Sequence, residues 1–524
     1  MKKIIALITI LLLYSSNSQG QPLVINWQQC FGGSDDDYAY DIAPCGDGYL
    51  IVGQTESNDG DISYFHGGTD IWLVRIDGTG NKIWEKTYGG SMGERGVRIF
   101  QIGDGHDYLI AGFANSNDGD VSPHAYPERL HYWFIKIDSL GNILWDRVVG
   151  GNGGEWLLNA TSTMDGGVVG TGYTASWEGD ITTYYGWYDA WLIKLNADGS
   201  TGWDFTIGTE NQDFGESIIQ TSDGGFLAGT SSIIEGQGNI SCVPHSSDGE
   251  GVLFKLDSNG NERWHRCYGG SGDENIWDLL EVEDGYVFSA IANAGDGDLE
   301  GSGWHGEADI WIVKVDFSGN IIWQKCYGGS EHEVAFRILQ TSDGSFMVFG
   351  RTQSHDGDVS YNPHNIYNPS IWVFKISSTG ELLWEQCFST GVKDYLEFGV
   401  VQKSDFQYVI AGSQLSNSFD YWIFEVTDTT MVGINELPSA KRIDITVKPN
   451  PASQWAAFDY VLPESETMAT ITITDLAGKT VEVLQVNGQQ GQKLWDTHLI
   501  ESGMYFYTLQ VAGSSKTGKI VVSK

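Results

Sequence analysis

The sequence predicts an all-β fold: a seven-bladed β-propeller with four-stranded blades, its last blade closed by the N-terminal strand, and then a small immunoglobulin-like β-sandwich. Three observations carry this. Tryptophan recurs at Trp27, Trp84, Trp145, Trp203, Trp264, Trp323 and Trp384, a spacing of roughly 60 residues, enough chain for one blade. Each interval holds four short strand-like runs and no sustained helical periodicity. The repeat also begins and ends out of phase. The chain opens with a lone tryptophan strand, "LVINWQQCF", and the last repeat stops after its third strand, "DYWIFEV". The two fragments together make one blade and leave no open edge.

The elements follow in order. Lys2 and Lys3, the apolar run Ile4 to Tyr14 and the small residues Ser18-Gln19-Gly20 read as an export signal over residues 1–20. Residues 21–428 are the propeller, and no run in them approaches the roughly 18 apolar residues of a membrane span. Within a unit, the third strand is apolar on both faces, as in "IWLVRI" from Ile71 to Ile76, which suits a sheet sandwiched between neighbours. The turn after it, Asp-x-x-Gly-Asn-x-x-Trp in Asp316 to Trp323, uses Asp to bind backbone amides, Gly for positive φ and Trp to pack between blades. The motif resembles the tryptophan-docking turns of pyrroloquinoline-quinone-type propellers. That resemblance implies the blade fold rather than the cofactor, because those proteins have eight blades and an adjacent cysteine pair, and this chain has no Cys-Cys.

Strand direction puts the fourth-to-first connections and the long second-to-third loops on one face. An acid recurs just after each Gly-Gly connection: Asp37, Glu94, Glu155, Asp213, Glu274, Glu333 and Asp394. These either ring a channel mouth, raising one another's pKa, or cap amides of the glycine turns and of the next blade. The long loops open on Asp59-Gly-Asp61, Asp118-Gly-Asp120, Asp296-Gly-Asp298 and Asp356-Gly-Asp358, which are either Ca²⁺ ligands or ordinary turns. The same loops carry His66, His124, Trp187, Trp304, His305, Tyr361 and His364, an aromatic and polar set suited to a sugar or a protein partner.

The formal charge of −40 sits almost wholly in the repeats and excludes nucleic acid and anionic membranes as natural partners. No nucleophile elbow, His-Glu-x-x-His or phosphate loop occurs, and no cofactor is predicted. Carboxylate pairs are too abundant to single out a glycosidase pair. Three readings stand: a binding or adhesion protein for polysaccharide or protein, a carbohydrate-active hydrolase or lyase, and a Ca²⁺-stabilised adhesin. Cys30, Cys267, Cys326 and Cys387 follow repeat tryptophans and read as small buried hydrophobes too far apart to bridge; Cys45 and Cys242 are left unassigned.

After a linker at 429–442 the composition changes. "VKPNPAS" (Val447 to Ser453), "ITDLAGKTV" (Ile473 to Val481), "ESGMYFYTL" (Glu501 to Leu509) and the terminal "KIVVSK" resemble the type A C-terminal sorting domain of the type IX secretion system of Bacteroidetes, over residues 443–524. The resemblance implies export through both membranes, contact with the secretion machinery, and display on the cell surface or release.

Overall fold

The computed structural model describes residues 22–430 and 444–524, apart from 104, 128, 247–248, 364–368, 389–393, 416–417, 449–451, 463–467, 476–478 and 512–513. The expected export signal at 1–20 and most of the expected linker at 429–442 lie outside the described residues, as does His364. The chain divides into two compact units between Thr429 and Thr430.

The first unit is built from seven four-stranded antiparallel sheets. Six are consecutive in sequence, each a meander such as Asp37–Cys45, Gly48–Thr55, Asp70–Ile76 and Lys82–Tyr88. The seventh joins the two ends of the unit: Leu23–Phe31 pairs antiparallel with Phe419–Asp428, with Leu23 opposite Asp428 and Phe31 opposite Tyr421. Pro22 O also accepts the Thr429 N–H at 2.7 Å.

Burial explains the strand sequences. The third strands are buried at every position in Asp70–Ile76, Asp189–Leu195 and Glu250–Leu256, because both faces meet another sheet. The apolar residues sort into clusters shared by successive sheets. Leu50, Val52 and Leu73 of one sheet pack with Ile99, Ile110 and Trp133 of the next. The same happens at every junction, and the last cluster joins Val409, Ala411 and Tyr421 to Ala39, Ile51 and Trp72 of the first sheet, so the stack closes on itself. This is a propeller-type architecture, and its core lies between sheets rather than at the centre.

Two devices lock neighbouring sheets. The hairpin tryptophans lie on the turn of the following sheet: at Gly80 (φ 88°) an added Cβ would meet the Trp27 ring at 2.7 Å, so positive φ and close packing both demand glycine. Trp84, Trp145, Trp203, Trp264 and Trp323 cover the corresponding glycines in the same way. At the other end, single parallel bridges such as Thr69 with Gly93 and Ala308 with His332 stitch sheet to sheet.

The cysteines depart from the sequence expectation. Cys267 is bridged to Cys242 across a Cα separation of 6.1 Å: its partner comes from the long loop of its own sheet, not from another repeat. Cys30 is exposed, whereas Cys45 and Cys326 are buried. Cys30 lies on the outermost strand of its sheet, where one face is open to solvent.

In the second unit, a three-stranded sheet (Asp444–Lys448, Trp455–Val461, Gln490–Asp496) and a four-stranded sheet share one apolar core. Phe458 and Trp495 from the first and Ile471, Tyr507 and Leu509 from the second meet there. No helix among the described residues is long and apolar enough to cross a membrane.

Candidate binding face and axial chamber

The connection between sheets is built around a Gly-Gly-Ser segment whose amides are all claimed by acids. In the segment at Gly328, the Gly328 N–H approaches Asp358 Oδ2 at 3.3 Å, Gly329 N–H donates to Glu333 Oε2 at 2.9 Å, and Ser330 N–H donates to Asp356 Oδ1 at 2.8 Å. The arrangement recurs. Gly33, Gly90, Gly151 and Gly270 donate to Asp37, Glu94, Glu155 and Glu274, and Thr209 to Asp213, at 2.7–3.1 Å. Ser34, Ser91 and Ser271 donate to Asp59, Asp118 and Asp296 at 2.7–2.8 Å. Asp61, Asp120 and Asp298 face the first glycine amide at 3.2–3.4 Å.

This places the predicted site acids. Asp37, Glu94, Glu155, Asp213, Glu274 and Glu333 are 0–1% exposed and point at backbone between sheets, so they do not line a channel mouth. Asp394 begins the corresponding strand, and its side chain lies outside the described residues. The Asp-Gly-Asp carboxylates likewise spend oxygens on amides, and among the described residues no group of three or more His, Cys, Asp or Glu is placed to hold a metal ion.

A second buried acid faces the first at most junctions. A Cβ added at Gly328 would meet Glu333 Oε2 at 2.5 Å and Asp309 Oδ1 at 2.6 Å, so the two carboxylates close on that glycine from either side. Asp309 and Asp189 each keep one buried oxygen without a donor among the described residues. Burial pushes Asp213 and Glu274 up to about 7, with the facing carboxylates Asp189 and Glu250 adding to it. Burial also takes Asp37 and Asp189 up to about 6. Two sheets depart from this at the equivalent position: Ser370 in one, and His131 in another, whose Nδ1 lies 2.7 Å from Glu155 Oε2.

The loop histidines turn inward to the same junctions. His66 Nδ1 sits 2.9 Å from Asp70 and its Nε2 3.3 Å from Asp120 of the next sheet. His305 repeats this with Asp309 at 2.9 Å and Asp358 at 3.9 Å. His124 packs edge-on against His131, with ring centroids 4.4 Å apart. The aromatics turn outward instead. Trp187 is 71% exposed, Tyr361 72%, Tyr64 63% and Trp304 40%. Trp177, which the sequence reading did not single out, is 61% exposed and stands edge-on to Tyr184 with centroids 6.4 Å apart.

Also missed in the sequence is a chamber of about 480 Å³ enclosed by the first strands of the sheets. Six of these strands slip register by one residue at the same place, as between Ala39 and Asp41 or Ala335 and Arg337. Such a bulge swings two successive side chains toward the axis. The second of the two is Asp41, Arg98, Asn159, Ser217, Asp278 or Arg337, each four residues after its junction acid. Together they make a polar belt. Asp41 accepts the Ile99 N–H at 3.0 Å and Asp278 the Ile338 N–H at 2.8 Å, each from the next sheet. Arg98 Nε donates to Asn159 Oδ1 at 2.9 Å. Arg337 stands 3.7 Å from Asp41 and 3.9 Å from Asp278. Above the belt the walls are aromatic: Trp156 stacks on Tyr173 with centroids 5.0 Å apart, and Trp277 meets Phe336 edge-on at 6.0 Å. Arg95 lies 3.8 Å over the Tyr40 ring. Position-by-position comparison of the repeats would have flagged the belt, since it breaks an otherwise apolar alternation.

Residues 446–523 match the secretion system C-terminal sorting domain. Over 334 residues the chain is 25% identical to the regulatory protein FlaEY of Caulobacter vibrioides, covering 58% of this chain and only 33% of that protein. Among solved structures it resembles a protein of unknown function from Dyadobacter fermentans (10% identity, 78% of this chain, 99% of that one, TM-score 0.42). It also resembles PorZ, a surface component of the type IX secretion system of Porphyromonas gingivalis (12% identity, 94% of this chain, 60% of that one, TM-score 0.37). The sorting domain engages the secretion machinery and directs the chain to the outer surface of the cell, with a propeller-type all-β unit as the part delivered.

Proposed function

We propose that the first unit is a closed seven-bladed propeller, carried by an immunoglobulin-like sorting sandwich, that binds polysaccharide at the cell surface through its long-loop face. One observation carries this reading: Tyr64, Trp177, Trp187, Trp304 and Tyr361 expose their rings on loops of four different sheets, while His66 and His305 of the same loops are turned into the junctions. A flat ring offers an apolar face to a sugar, and the polar rim orients it. The strong negative charge of the chain favours a neutral glycan over an anionic one on this open surface. The test is capture of the full chain on immobilised neutral polysaccharides. Trp187→Ala and Tyr361→Ala should each weaken retention severalfold without lowering the melting temperature; retention unchanged in the double variant would refute the reading.

A further inference from the structure

We propose that the axial chamber is a second, separate site, which takes a small ring compound bearing a carboxylate, with the ring against Trp156 and Trp277 and the carboxylate on the guanidinium groups of Arg98 and Arg337. This does not rest on the loop-face reading.

Of the belt, Arg98, Asn159 and Arg337 line the chamber, and the two belt acids are committed elsewhere. Asp41 and Asp278 use an oxygen each on the Ile99 and Ile338 amides, and they stand 3.7–4.0 Å from the guanidinium nitrogens, beyond hydrogen-bond reach. Arg98 spends Nε on Asn159 Oδ1 at 2.9 Å and Arg337 spends one Nη1 hydrogen on Phe336 O at 3.0 Å; the belt acids chelate neither, so guanidinium N–H groups remain, and the two side chains keep 13% and 15% exposure. A planar fork with open donors is the fitting partner of a carboxylate, which it binds through two parallel hydrogen bonds.

Charge points the same way. The whole chain has only ten arginines, yet Arg95, Arg98 and Arg337 all line this one chamber. Among the described residues, Glu216 is the acid on the wall. Burial pushes Asp41 up and takes Asp278 up to about 7, so Asp278 carries only part of a negative charge at neutral pH. A cavity of about 480 Å³ falls within the range for small-ligand sites, and aromatic walls with a few fixed polar groups are their usual lining. Both a uronic acid and an aromatic acid combine a flat face with a carboxylate, and the chamber chemistry is common to them.

The experiment titrates the full chain with galacturonic acid, phenylacetic acid and the methyl ester of each, following heat and tryptophan fluorescence. At least one acid should bind with its ester at least about tenfold weaker, a difference of about 1.4 kcal/mol, and Arg337→Gln should weaken that acid comparably. Binding of the sugar acid alone identifies a uronate; binding of phenylacetate alone identifies an aromatic acid. Equal binding of acid and ester, or no binding of either acid up to about 10 mM, a Kd corresponding to less than about 3 kcal/mol, overturns the proposal. The ester comparison needs no variant, so it decides the matter even if Arg337→Gln does not fold. Polysaccharide capture on the same preparation reports the loop face independently.

Discussion

Two sets of tryptophans do different work in each sheet, and only one of them announces itself in the sequence. The hairpin tryptophans stand in a recognisable turn, and their docking on the next sheet follows from that motif. The third-strand set, Trp72, Trp133, Trp191, Trp311, Trp372 and Trp422, is 0–2% exposed and reads only as part of an apolar run. Each is fixed by its indole N–H, as Trp372 donates to Glu385 Oε2 at 2.9 Å and Trp72 to Glu85 Oε2 at 3.0 Å. The acceptor is the residue just after the hairpin tryptophan, so the two sets are coupled through neighbouring positions. Trp372→Ala leaves a large void and takes the indole donor from the half-buried Glu385, whose other oxygen stays with Ser360, and should cost about 3–5 kcal/mol, mostly from the void, read from chemical denaturation. Trp187→Ala, on an exposed ring, should stay within about 0.5 kcal/mol of the parent. Where Trp would stand in the fourth complete sheet the chain has Val252, and there His265 stacks on Phe254 at 4.9 Å. The Cys242–Cys267 bridge lies in the same sheet, with a sequence separation of 25. Breaking it by Cys242→Ala should cost about 2–4 kcal/mol, and reduction of the unaltered protein should lower the melting temperature in step. The bridge was hidden in the sequence because a regular repeat directs attention to equivalent positions, and this pair links unequal ones.

Junctions between sheets carry a proton-linked energy. A carboxyl whose folded pKa lies above its value of about 4 in the unfolded chain holds a proton that unfolding releases. Its stability contribution is complete below about pH 4 and drains away as the pH rises through the folded pKa. Asp213 and Glu274 at about 7, with Asp37 and Asp189 at about 6, all act in that window. The opposing groups act elsewhere: despite partial burial that would raise it, hydrogen bonds from Thr221, Gly225 and Lys255 hold Asp223 down to about 2, and its contribution is lost only below about pH 4. The melting temperature should therefore fall from pH 5 to pH 8, and a rise across that interval would contradict the raised carboxyls at the junctions. The histidine junction supplies a sharper test. His131→Asp recreates the acid pair opposite Glu155 and should steepen the fall, lowering the melting temperature at pH 8 more than at pH 5. In the sequence these acids were legible as a set and ambiguous in role. Their spacing is fixed by the repeat whether they face a channel or an amide, and only the Gly-Gly-Ser backbone, folded back onto three carboxylates, decides it.

At the scale of the molecule, the sheet count and the order of strands were readable because both follow from the repeat and from its phase at the two ends. The axial belt leaves a trace only when the repeats are compared position by position, as polar residues four places after each junction acid; which way those residues face is set by the bulges, and no sequence period marks a bulge. The Asp-Gly-Asp turns, with their oxygens taken by amides, should bind no structural Ca²⁺; equal melting temperatures with 5 mM Ca²⁺ and with chelator would agree, because a ligand of the folded state must raise its stability by about RT ln(1 + [L]/Kd). Closure has a more direct test. Leu23–Phe31 supplies the outer strand of the seventh sheet through eight paired positions, and Leu23 N–H also donates to Gln386 Oε1 of the preceding sheet at 2.8 Å. Deleting residues 22–31 downstream of the export signal would expose the whole edge of Phe419–Asp428 and strip Leu23 from the cluster it shares with Phe388 and Val426. An exposed edge strand recruits other chains, and a ring held by seven junctions loses the covalent ends' mutual clamp. The shortened chain should melt at a lower temperature, over a broader transition, and sediment as mixed oligomers. Adding the deleted segment back as a separate peptide should restore a single sharp transition, since its strand slot is defined by the remaining three strands. A shortened chain that stays monomeric with an unchanged melting temperature would mean that the ring does not depend on this pairing.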